Sequence, residues 1–248
     1  MRVLAKFSQP VVGLLLVFVT GFLGSCGSGA SDVELVESAK GYMAENQLRA
    51  TVIELKNALQ TNPKNAEARY LLGKVSLETG DMATAEKEFK RALEMGWDQE
   101  ASTLGMLRAM IAQRKYKEVL ETSATTTGWS ETAQANLQAL EGLAYLGEGD
   151  LLKSKSIYLT ADKLDADAYD VLKLAVLLQI NDKQSSDAAG TTNKALELFP
   201  QDPEFMLMKA KLAVINKQYD EAASTFEQII SAGPKGLMTE YVKQAHVG

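Results

Sequence analysis

Ala66-Glu67-Ala68-Arg69-Tyr70-Leu71-Leu72-Gly73-Lys74-Val75, followed by Gly80-Asp81 and then Ala85-Glu86-Lys87-Glu88-Phe89-Lys90-Arg91-Ala92-Leu93, is the stretch that decides the fold of this chain. Ala68, Leu71, Leu72 and Val75 recur at helical spacing, and so do Ala85, Phe89, Ala92 and Leu93. Between the two runs stands Gly80, a residue that accepts the left-handed backbone on which helices end. The reading is two amphipathic helices joined by a tight bend. One such hairpin cannot bury its apolar face alone, so it must stack on neighbours of the same kind.

Those neighbours are visible on both sides. With Asp32, Ala66, Glu100, Ala135, Tyr169 and Pro203 as first residues, the same side-chain types return at steps of 34, 34, 35, 34 and 34 residues. The eighth place reads Ala39, Gly73, Leu107, Gly142, Val176 and Ala210, and the twentieth reads Thr51, Ala85, Val119, Ser154, Ala188 and Ala222. Mostly small residues there let two helices approach. The twenty-fourth place carries Leu55, Phe89, Tyr158 and Phe226, with Ser123 and Thr192 as departures. Pro63, Pro200 and Pro234 punctuate unit ends, while Trp97, Glu131 and Ala166 break that column. This period and these columns resemble the tetratricopeptide repeat (TPR), which implies an all-α, right-handed superhelix, an α-solenoid of about six helix-turn-helix units. The expected units are 32–65, 66–99, 100–134, 135–168, 169–202 and 203–236, followed by a partial or capping helix over 237–248. The third is the least regular: Ser123, Thr125, Thr126 and Thr127 predict a distorted junction around Gly128 and Trp129.

Ahead of the repeats, Arg2 and Lys6 precede an uncharged stretch containing Val11-Val12-Gly13-Leu14-Leu15-Leu16-Val17-Phe18-Val19, the pattern of an export signal. Its end, Leu23-Gly24-Ser25-Cys26, resembles the lipobox of bacterial lipoproteins, which implies cleavage after residue 25 and acylation of Cys26. Residues 26–31 then form a short tether between lipid and repeats. An uncleaved transmembrane anchor is the competing reading. Two or more acyl chains hold a protein stably at a bilayer. Gly27, where aspartate in enterobacterial-type lipoproteins favours the inner membrane, points to the outer membrane facing the periplasm.

Composition fits a folded array on such a tether. Hydrophobic residues make up 46% of the chain and charged ones 23%, and removal of residues 1–25 takes two positive charges, leaving a formal charge of −8. That balance argues against nonspecific nucleic-acid binding. No phosphate loop, nucleophile elbow or paired-histidine metal motif occurs, and His246 has no second histidine to share a metal. The expectation is a non-catalytic protein without a cofactor. Asp81, Glu86, Glu88 and Asp150 are expected on solvated faces and turns, and Met106, Met110, Met206 and Met208 in the core.

Binding is expected on the inner face, lined in TPR proteins by the first helix of each unit. Its ninth place reads Lys40, Lys74, Arg108, Leu143, Leu177 and Lys211, with Tyr70 nearby. Four cations of six in an acidic protein suggest a partner groove for an acidic peptide, or less readily an anionic polysaccharide; ordinary solvated helix positions are the bland alternative. Trp97 and Trp129 read as packing between units, with a partner hot spot as the lesser option.

The run from Leu55 to Gly96, including Asn62-Pro63-Lys64-Asn65-Ala66-Glu67-Ala68, together with the lipobox, resembles the TPR lipoproteins of the PEP-CTERM/exosortase system. That resemblance implies a role supporting exopolysaccharide assembly or export, or surface-protein sorting, in a Gram-negative envelope. Members of that family are usually longer, so a short relative and a truncated array both stay open. Pilotin-like and barrel-assembly lipoproteins share the same physical class. A direct polysaccharide-binding module or enzyme accessory is the alternative of another class.

Overall fold

The computed structural model describes residues 30–123 and 128–232, which form twelve α-helices and no strand. They pair as α1 (Asp32–Ala44) with α2 (Leu48–Thr61), α3 (Ala66–Glu78) with α4 (Met82–Glu94), and α5 (Gln99–Ala112) with α6 (Tyr116–Ser123). The remaining pairs are α7 (Glu131–Glu148) with α8 (Leu151–Asp165), α9 (Tyr169–Asn181) with α10 (Ser185–Leu198), and α11 (Pro203–Ile215) with α12 (Tyr219–Ala232). The array is an α-solenoid. Cys26, His246, Pro234 and the segment 237–248 lie outside the described residues, as do Thr125, Thr126 and Thr127.

Side chains mark most helix starts. Ser31 and Glu34 form a reciprocal capping box on α1. Asn65, Asp81, Asp98, Asp150 and Asp202 each accept a backbone N–H of the helix they precede. Pro203 opens α11, where its missing N–H is no loss. The fourth unit departs from expectation: α7 begins at Glu131, four residues ahead of Ala135. Ser130 caps it there, and its own N–H and hydroxyl both bind the Glu100 carboxylate.

The bend inside each unit has one geometry. Asn46, Gly80, Arg114, Gly149, Lys183 and Lys217 all have φ between 55° and 86°, and each stands at the fifteenth place of its unit. The left-handed residue is therefore as periodic as the small-residue columns, although only two of the six are glycine.

Packing follows the columns. A Cβ on Gly73 would lie 2.9 Å from the Phe89 ring, and one on Gly105 would lie 2.5 Å from the same ring, so Phe89 of α4 is clamped between α3 and α5. The Ser154 hydroxyl of α8 donates to the Gly142 carbonyl of α7 at 2.8 Å, which puts the eighth and twentieth places in direct contact. Met106 and Met206 are buried, and Met110 and Met208 pack against the core. Trp129 packs against the central cluster.

Neighbouring first helices touch, α3 on α5, α5 on α7 and α7 on α9, whereas α2, α4, α6, α8 and α10 are each wedged between the first helices of their own unit and the next. Shorter spacing on one side bends the stack toward it. The first helices therefore line the inner face.

Candidate binding groove

The inner face brings Lys40, Tyr70, Lys74, Arg108 and Lys211 onto one side of the array without making it basic. Lys40 Nζ lies 2.7 Å from Glu37 and 2.6 Å from Glu67. Hydrogen bonds to Glu37 and then Glu67 raise its pKa. Arg108 is more fully committed. Its Nε and Nη2 reach the carboxylate of the wholly buried Asp170 at 2.8–3.2 Å, a bidentate pair that spans from α5 to α9 past α7. The guanidinium also sits 5.3 Å from the centre of the Tyr169 ring. Burial works against the Arg108 charge, but Asp170 outweighs it and the pKa ends raised.

This cluster continues toward α11. The Asp170 backbone N–H donates to Asn136 Oδ1 at 2.8 Å, and the Tyr169 hydroxyl lies 3.1 Å from Glu204 and 3.3 Å from Asp202. Lys173 pairs with the same Glu204. Burial pushes the Tyr169 hydroxyl pKa far above its ordinary range. Asp202 is pushed up as well, chiefly by burial, despite the helix N–H groups it caps. Glu78 is raised by burial and by the field of Asp202 against the opposing Lys74. Tyr70 is spent on packing, its ring 5.7 Å from Phe89 and 6.1 Å from Trp97. Lys211 alone of the four expected cations is exposed with no partner recorded among the described residues.

The groove is thus mixed in charge, and Lys40 and Arg108 are neutralised from within. The signal that finds this is a second column: the second place of units two, five and six holds Glu67, Asp170 and Glu204. Side chains at the ninth place of one unit and the second place of a later one face each other, so an acid there cancels the cation. Glu88 also corrects the expectation of a solvated acid. It is buried, with Arg69 at 2.6 Å, Lys87 at 3.2 Å and Arg91 at 3.5 Å. Glu86 is half-buried and accepts from Gln113 and Lys115. Among the described residues there is no group of three His, Cys, Asp or Glu that could hold a metal ion.

Comparison with known proteins agrees with the geometry. Tetratricopeptide-repeat family descriptions match residues 42–111 and 174–236. The chain carries tetratricopeptide repeats. The TPR array superposes on the structure of PilF from Pseudomonas aeruginosa, with TM-score 0.50 and 18% identity over 86% of this chain and 97% of that one. It also superposes on PilW, described as a widely conserved type IV pilus biogenesis factor, at TM-score 0.53 and 14% identity over 81% and 93%. A third similar structure is YrrB, described as a TPR protein with an unusual peptide-binding site, at TM-score 0.50 and 18% identity over 76% and 92%. Identities this low establish a shared fold. No curated protein sequence is a significant match to this chain. The TPR fold is that of a protein–protein interaction scaffold.

Proposed function

We propose that this TPR array is a lipid-anchored, non-catalytic adaptor of the Gram-negative cell envelope, held through Cys26 at the periplasmic face of the outer membrane. The observation that carries the reading is the order of segments: a basic, then apolar, then small-residue leader ends at Leu23-Gly24-Ser25-Cys26, and the capping box of α1 starts at Ser31. Five peptide steps separate Cys26 from Ser31 and span at most about 18 Å. The partner context favoured by the Leu55–Gly96 resemblance is exopolysaccharide assembly or export, or exosortase-linked sorting.

The test is metabolic labelling with an alkynyl fatty acid in a Gram-negative host, followed by membrane fractionation and proximity labelling. The expected result is label on the wild type, none on Cys26→Ser, outer-membrane recovery, and neighbours from polymer export. Label-free wild type recovered with an intact leader would instead indicate a transmembrane anchor. A second reading is pilus assembly, favoured by the near-complete coverage of PilF and PilW. Pilus proteins among the labelled neighbours would replace the polymer-export context and leave the adaptor role standing.

A further inference from the structure

On the outer side of the first two units, α2 and α4 flank a recess of about 620 Å³. Its floor is apolar: Leu48 and Val52 from α2 and Leu72 from α3, with Ile53 at the rim, 58% exposed. Three cations, Arg49, Lys56 and Lys87, border it. The two carboxylates of the lining are already engaged. Asp81 accepts the Thr84 N–H at the start of α4, and Glu88 is shared by Arg69, Lys87 and Arg91. No carboxylate is recorded with Arg49 or Lys56 among the described residues. An incoming anion therefore meets uncompensated positive charge above an unfilled apolar floor.

The same groove at the far end of the array supplies an internal comparison. Between α10 and α12 it is divided at Lys209 and Glu221 into recesses of about 130 and 340 Å³. Place for place, Arg49, Val52, Ile53 and Lys56 become Ser186, Ala189, Gly190 and Asn193, while Leu72 and Lys87 become Lys209 and Ser224. The three cations have no counterpart at their places there, and Lys209, which stands where Leu72 does, pairs with Glu221. The pair of features thus distinguishes the first two units from the last two, although the repeat geometry is shared.

We propose that the α2–α4 groove is a docking site for an acidic, amphipathic peptide segment of a partner protein, which seats one or two large apolar side chains on Leu48, Val52 and Leu72 while its carboxylates meet Arg49 and Lys56. A recess of this depth takes side chains, whereas a bilayer surface would meet protruding residues only. The proposal rests on the scaffold reading of the TPR array and moves the acidic partner from the inner face, where Arg108 and Lys40 are neutralised, to the outer one.

The test is selection of random twelve-residue peptides displayed on phage against the full chain, then affinity measurement with the synthetic winners. Supporting results are winners with Asp or Glu around Leu, Phe or Trp, and affinities that fall at least about tenfold in Arg49→Glu/Lys56→Glu and in Ile53→Asp. In addition, Lys56→Arg and Lys211→Glu should bind as wild type, and rising salt should weaken binding. Lys56 and Ile53 are surface residues, and an unchanged circular dichroism melt shows that the variants fold. Peptides that bind irrespective of Arg49, Lys56 and Ile53 but are lost in Lys211→Glu would overturn the site and keep the scaffold. Binding of phosphatidylglycerol vesicles that depends on Arg49 and Lys56, without acidic peptides, would make the patch a membrane contact and overturn it too. Failure to select any peptide would overturn the site, while the scaffold reading stands or falls on the proximity-labelled neighbours.

Discussion

At the residue scale, the fifteenth place carries a cost at some bends and none at others. An L-residue with a Cβ held in the left-handed region loses about 1–2 kcal/mol, and glycine returns about 0.4–1 kcal/mol of that through the greater freedom of its unfolded chain. Lys183→Gly and Lys217→Gly should each therefore stabilise the array by about 0.5–1 kcal/mol, read from urea denaturation midpoints. Asn46→Gly should gain less than either, because asparagine already tolerates this conformation. The opposite holds in the core. Phe89 cannot swing away from Gly105 without striking Gly73, so Gly105→Ala should cost about 1–3 kcal/mol, and the smaller ring site of a Phe89→Leu/Gly105→Ala double variant should recover part of it. Gly80 was readable as a bend from sequence; Arg114, Lys183 and Lys217 were not, because lysine and arginine signal nothing about backbone sign.

At the scale of elements, the helices were legible because their apolar periodicity and their caps agree. Asp32, Ala66, Tyr169 and Pro203, chosen from the repeat columns, are the first residues of α1, α3, α9 and α11. α7 was misjudged by four residues, since Ser130 is a better cap than anything at the expected start. The inner groove was the least legible feature. One column of cations was readable, but the carboxylates opposite lie 27 and 62 residues away in sequence, and only the stacking of units brings them together. The Arg108–Asp170 pair ties α5 to α9, so Asp170→Ala, which strands a largely buried guanidinium, should cost about 3 kcal/mol. Amide hydrogen exchange should speed up in both helices, not in α9 alone. At the head of α11, burial raises the Asp202 pKa above the unfolded value, so the native state binds more protons than the unfolded chain and this group's contribution to stability falls as pH rises through that window. Asp202→Asn keeps the cap and the Tyr169 contact without the charge. It should be more stable than wild type at neutral pH, with the gain vanishing as the pH drops below about 3.8, where both chains are uncharged at this position.

For the whole molecule, the hydrophobic core is divided along the array rather than pooled. One cluster joins α1, α2 and α3, the largest runs from α5 to α9, and smaller ones connect α9 to α12. Stability in such arrays is ordinarily a sum over units and nearest-neighbour interfaces. Here that description lacks a term, because Arg108 and Asp170 join units that are not neighbours. The first helices approach one another most closely from α3 to α9, while α1 and α11 meet their neighbouring first helices through fewer contacts, Lys40 on Glu67 at one end and Tyr169 on Phe205 at the other, and lean more on the second helices beside them. Pulled between a fixed end and a partner, such a coil behaves as a spring of graded stiffness: the terminal turns give way gradually at low load, and the middle resists until it ruptures in one step. A force–extension trace should show that sequence, and Asp170→Ala should lower the rupture force of the middle while leaving the early yielding unchanged.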